Sequence, residues 1–230
     1  MSTTSYPARR LRRRTMGTAL ILFPALLLLE GPIDPAPGGT GEVMFAAATQ
    51  HRTALAGCAG LLLVSGVLMV PAAAAVLHQA RDRGSALGAA AAVLAVLGGF
   101  GHAAIAMFYL IAMPLAGGDR AEMVAYIERL NASPVLGAVV FPLILCFALA
   151  LLAMVWAAWR AGLIGWWGPA VVTAAVVAHE VLPGPLPGVE LAGMGALSAV
   201  FGLLGVRVLR MTDAAWNGSR RSGAPLPAHA

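Results

Sequence analysis

The chain has little charge. Only 11% of its 230 residues are Asp, Glu, Lys or Arg, against roughly 25% in an average soluble domain. With 60% hydrophobic residues and a mean hydropathy of +0.83, a water-soluble fold is excluded. Lysine is missing altogether, so all 15 basic residues are Arg. Cysteine is scarce: Cys58 and Cys146 fall in different apolar runs and form no Cys-x-x-Cys pair. That excludes a disulfide framework and a thiol-redox motif. No Gly-x-Ser-x-Gly, His-x-x-x-His or His-Glu-x-x-His spacing occurs, and no Gly-rich phosphate loop ends in Lys. Hydrolase and zinc signatures are therefore lacking, and no metal or cofactor is expected.

What the chain has instead is long apolar segments. Residues 1–14 end in Arg9, Arg10, Arg12, Arg13 and Arg14 and read as a basic cytoplasmic tail. The apolar run Thr15–Leu29 follows. A cleaved signal peptide and a first span compete here. No small-x-small cleavage site follows directly, so a helix continuing through Glu30 is preferred. Further spans are expected at Thr53–Leu77, Ala86–Met113, Pro134–Trp159, about Leu163–Leu182 and about Gly188–Leu209. Each is long enough at ~1.5 Å per residue to approach or exceed a ~30 Å hydrocarbon core. The fold class expected is therefore all-α, a six-helix transmembrane bundle over residues 15–210, followed by a disordered cytoplasmic tail, 211–230.

Loops set the orientation. With the N-terminus inside, Arg52, Arg120 and Arg129 are the exceptions among 15 basic residues; the rest fall on the inner side. This is the asymmetry of the positive-inside rule. It explains the net charge of +5 without a nucleic-acid partner. Both termini are then cytoplasmic, in the inner membrane of a bacterium. Trp156, Trp159, Trp166 and Trp167 bracket the turn at Arg160 and mark a membrane–water interface. In the loop Ala116–Ser133, Asp119 and Glu122 have capping-box spacing, and Met123, Val124, Ile127 and Leu130 recur at helical spacing. A short helix is expected there, lying on the membrane or packing on the bundle.

The candidate site starts from one residue. His102 is the single side chain in the run Leu87–Met113 that can carry a charge near neutral pH. Ionisable groups at that depth are costly and usually face the protein interior. Tyr109 is seven residues on and shares its helix face. Glu30, His51, His179, Glu180 and Glu190 fall toward the same, outer ends of the spans. The ligand-binding residues expected are His102, Tyr109, Glu30, His179 and Glu180. The bland alternative is that His102 only hydrogen-bonds a neighbouring backbone. Gly98, Gly99 and Gly101 look like a phosphate-binding string but lie mid-membrane, where small residues serve close helix packing.

Several features taken together resemble a family of small, uncharacterised six-span bacterial membrane proteins. They are the Arg-rich start before a short first span, Asp34-Pro35, Val70-Pro71, and Arg81-Asp82-Arg83-Gly84. The last is the turn Arg160-Ala-Gly-Leu-Ile-Gly-Trp-Trp-Gly-Pro169. The family is a domain of unknown function frequent in Bacillus relatives and actinobacteria. Gly165 and Trp166 stand where the family usually has Pro-Arg. The resemblance covers roughly residues 10–210 and implies the six-span architecture but no activity.

Three functions are compatible with these residues. The first is binding or transport of a small molecule or cation through an outward-facing polar pocket around His102. The second is a structural or interaction component of the bilayer without chemistry. The third is an intramembrane acid–base enzyme using His102 with Glu30 or Glu180. The first is the expectation carried forward, with lipid and a small ligand or cation as the partners.

Overall fold

The computed structural model describes the backbone of residues 5–181 and 187–217, and the side chains of 10–178, 188–189 and 191–217. Every regular element among the described residues is a helix. That is the fold a bilayer permits, since each backbone N–H and C=O must be satisfied inside its own segment. The helices are α1 (Ser5–Ile33), α2 (Gly41–Gln50), α3 (Arg52–Ala80), α4 (Ser85–Leu115) and α5 (Arg120–Asn131). They continue as α6 (Pro134–Arg160), α7 (Trp167–Val181), α8 (Pro187–Arg210) and α9 (Asp213–Trp216).

Five of them are long and apolar enough to cross a membrane: Arg10–Ile33 within α1, then α3, α4, α6, and Leu191–Arg210 within α8. The fifth expected span is shorter. α7 has 15 residues, a rise of ~22 Å against a hydrocarbon core of ~30 Å.

The long helices and α7 form a closed ring. α1 packs on α3, α3 on α4, α4 on α6, α6 on α7, α7 on α8, and α8 returns to α1. Glycine lets the backbones approach. A Cβ on Gly98 would lie 2.6 Å from Phe147 Cα, and one on Gly101 2.8 Å from Ile144 N. Both fix the α4–α6 crossing. Gly66 and Gly99 meet in the same way between α3 and α4, with a Cβ on Gly99 lying 3.1 Å from the Gly66 carbonyl oxygen. The glycine string is thus a packing surface, as its depth implied. α1 is pinned from both sides by hydroxyls. Ser65 Oγ on α3 donates to the Phe23 carbonyl at 3.0 Å, and Ser198 Oγ on α8 to the Pro24 carbonyl at 2.9 Å. Such interhelical bonds contribute about 0.6 kcal/mol each in membrane bundles.

The half of the ring nearer the start of α1 is filled. Phe23, Met69, Met154, Phe201 and Leu204 form a buried core there, with the Phe23 and Phe201 rings edge-on at 5.1 Å. The order continues past Arg210, where the tail was expected to begin. α9 places Trp216 in that core at 2% exposure. Outside the ring, Val67, Phe100 and Phe141 are exposed mid-span, as lipid contact requires. The tight turn after α6 ends on Gly162 with φ +73°, and the Leu163 N–H reaches back to the Ala158 carbonyl at 2.9 Å. This is a Schellman closure, which needs a left-handed residue at that position.

α2 and α5 cover the other end. α2 arises inside the stretch expected to be a loop, and Met44, Ala47 and Ala48 are its buried face. Asp119 caps α5, its Oδ1 accepting the Glu122 N–H at 3.0 Å. Met123 and Ile127 are buried against the bundle, so α5 packs on protein. Glu128 Oε1 accepts the Gly41 N–H at 2.6 Å, and Arg120 pairs with Glu42 at 2.7 Å.

Candidate functional site

Inside the ring, reaching the end of α1 and the turn that follows it, lies a cavity of about 610 Å³. All six ring helices contribute to its wall, mostly with Leu, Ile, Val, Met, Phe and Ala side chains. Four side chains with polar atoms stand out in that lining: Glu30, Asp34, His102 and Tyr109. Apolar walls with a few convergent polar groups are the usual make-up of a small-molecule site, and the volume falls in the usual range.

Glu30 sits in the last turns of α1. Past Ile33 the Pro- and Gly-rich chain turns back. The Asp34 N–H donates to the Glu30 carbonyl at 3.0 Å, and Asp34 Oδ1 accepts the Ala36 N–H at 2.9 Å. This local turn is what an aspartate before proline favours. Asp34 Oδ2 accepts the Tyr109 hydroxyl at 3.0 Å, so α4 and the α1 turn hold the carboxylate together. The thiol of Cys58, on α3, is fully buried beside them. One carboxylate oxygen each of Glu30 and Asp34 and the Cys58 sulfur lie within 4.8 Å of one another. A thiol beside two carboxylates is in the reverse of the electropositive setting that activates a cysteine nucleophile. These residues suit the holding of a positive group, not covalent chemistry.

His102 lies deeper. Seven residues of helix separate it from Tyr109, about 10 Å along the α4 axis. The ring is 7% exposed and packs at a tilt against Phe147, with centroids 4.0 Å apart and planes at 47°. Its Nδ1 is 3.2 Å from the Gly98 carbonyl oxygen. A carbonyl only accepts, so Nδ1 carries the proton and Nε2 of the neutral ring keeps its lone pair. Among the described residues Nε2 has no hydrogen-bond partner, while the ring lines the cavity.

Of the residues expected from sequence, Glu30, His102 and Tyr109 are brought to one cavity. The side chains of His179 and Glu180 lie outside the described residues, although their backbone closes α7. The side chain of Glu190 lies outside them as well. His51 is exposed, caps α2 and does not line the cavity. Sequence reasoning missed Asp34 and Cys58 as site residues. A signal for Asp34 existed: it follows Glu30 by four residues, the interval that returns to one helix face. For Cys58 there was none, since a single cysteine in an apolar span reads as a small hydrophobe.

The opposite end of the bundle uses similar residue types differently. Arg13 pairs with Asp213 at 2.7 Å and donates to the Met211 carbonyl. His78 stacks on Trp216 at 4.3 Å, and its Nε2 lies 2.9 Å from the Trp216 carbonyl. Arg207 donates to the Leu163 carbonyl, which fixes α8 to the α6–α7 turn. Histidine, arginine and aspartate are there joined to one another and to the backbone.

Comparison of the chain with family models, with curated proteins and with solved structures finds no match to any of them.

Proposed function

We propose that this chain is a multi-pass membrane protein that binds a small organic or cationic ligand in the cavity bounded by Glu30, Asp34, Tyr109 and His102. One observation carries the reading: a buried histidine and a carboxylate–phenol pair converge on one apolar-walled space of about 610 Å³. The desolvation cost of such groups makes them uncommon without a task. The resemblance to six-span bacterial membrane proteins fits this architecture. In the proposed topology α7 is a sixth, short span, both termini are cytoplasmic, and the cavity opens away from the cytoplasm. The Arg distribution supports that orientation, since Arg13, Arg160, Arg207 and Arg210 gather at the end opposite the cavity. Transport would require opening of the core around Phe23 and Phe201, which separates the cavity from the cytoplasmic end.

A second reading concerns the ligand alone. The Glu30, Asp34 and Cys58 ligand atoms offer two hard oxygens and a sulfur, a donor set that a borderline divalent ion accepts. Protein in nanodiscs, dialysed to equilibrium against aliphatic amines, their neutral analogues and divalent ions, separates the cases. Retention of amines, lost in Asp34→Asn, supports an organic cation. Retention of a divalent ion, lost in Cys58→Ala, supports the metal. Equal uptake of every compound by protein-loaded and empty nanodiscs contradicts a site. Fluorescent and phosphatase fusions after Leu209, Val181 and Ala116 test the topology; an external fusion at Leu209 would overturn it.

A further inference from the structure

We infer that the ligand is an elongated amphipathic amine whose far end carries a hydrogen-bond donor. This rests on the cavity being a ligand site and adds which ligand it takes. The cavity has two unlike poles. Glu30 and Asp34 form one, with Tyr109 donating to Asp34. A carboxylate only accepts, and a primary ammonium offers three donors. The other pole is His102, more than nine-tenths buried and without a described partner for Nε2. Because Nδ1 is committed to the Gly98 carbonyl, Nε2 faces a ligand as an acceptor. A hydroxyl or amide N–H fits it. A second ammonium does not, since no described carboxylate pairs with His102 and a charge at that depth is costly without one.

The wall between the poles sets the ligand's middle. Leu27, Leu62, Ile105, Ile144 and Leu151 line it, and they offer no polar atom except backbone already used in helices. An alkyl or aryl spacer is therefore required. His102 and Tyr109, whose hydroxyl holds Asp34 at the other pole, are about 10 Å apart along α4, the reach of an extended chain of about eight methylenes. The Phe147 ring, packed at 47° against His102, restricts the imidazole and so the direction of the lone pair.

Three probes divide the two ends. Aminooctanol carries both features, octylamine lacks the donor, and octanol lacks the cation. Each is dialysed to equilibrium against the full chain in nanodiscs, with protein-free nanodiscs subtracting partition into lipid. Aminooctanol is expected to bind roughly five-fold tighter than octylamine, the increment of one net hydrogen bond of about 1 kcal/mol. It is also expected to bind at least ten-fold tighter than octanol. His102→Phe should remove the first difference and leave the second; Asp34→Asn should do the reverse. His102→Gln, which restores an acceptor oxygen, should recover part of the first difference and controls for a folding defect. Equal affinity of octylamine and aminooctanol for the unaltered chain would overturn the inference while the cavity remains a site. Failure of all three to bind above the lipid background would contradict the binding reading itself.

Discussion

The two ends of the ring contain much the same chemistry and put it to opposite uses. At the end nearer the start of α1, Arg13, His78, Arg207 and Asp213 meet partners in the chain, and Trp216 seals them. At the other end, His102 spends one ring nitrogen on the fold, and Asp34, whose two oxygens accept the Ala36 N–H and the Tyr109 hydroxyl, still lines a cavity. The lesson is that an ionisable residue in a membrane helix is a pointer only after its partners are counted. His78 and His102 look alike in sequence, one near a span end and one within. The first closes a structural knot. The second has a ring nitrogen with no partner among the described residues and lines the cavity.

This contrast predicts that stability and binding will come apart. The largest effect should fall on the packing that frames both ends. Gly98→Val drives a side chain into the Phe147 backbone and is expected to cost about 3 kcal/mol, read as a lower midpoint of thermal unfolding in detergent. Next comes Asp213→Ala. It strips a mostly buried Arg13 of its counter-ion and should cost about 2 kcal/mol, with ligand binding retained. Ser198→Ala removes one bond to the Pro24 carbonyl, and about 0.6 kcal/mol is expected. Asp34→Asn should move stability little, by under about 0.5 kcal/mol, because the amide keeps an acceptor for the Tyr109 hydroxyl or the Ala36 N–H. Its effect belongs to binding, where at least a ten-fold loss for an amine is expected. A ranking in which Asp34→Asn destabilises more than Asp213→Ala would break the comparison.

Much of this was legible in the sequence. The five long spans follow from hydropathy and from the backbone's need to satisfy itself, and their limits fall within a few residues of the runs read from the chain. His102 stood out because it interrupts 27 otherwise uncharged residues. Asp119 announced its cap. The order of helices around the ring was not legible, because helices apolar on every side carry no periodic mark of which face meets which neighbour. The glycines gave away close contact but not the partner. α2 was hidden in a stretch whose Pro and Gly read as loop, although Met44, Ala47 and Ala48 already had helical spacing. Asp34 carried only its four-residue interval from Glu30 as a signal, since its role depends on the turn that folds it back there, and Cys58 was hidden because nothing local distinguishes it. Trp216 lay in a segment polar enough to read as tail, where one buried aromatic decides the packing.

The account's central claim is that the carboxylate at the cavity serves a ligand and the one at the opposite end serves the fold. Asp34→Asn and Asp213→Asn, measured side by side for thermal midpoint and for amine binding in nanodiscs, test it directly. The account predicts that Asp34→Asn loses binding and keeps its midpoint, while Asp213→Asn loses midpoint and keeps binding. If both variants lower the midpoint and neither changes binding, the cavity carboxylate is structural and the claim is contradicted.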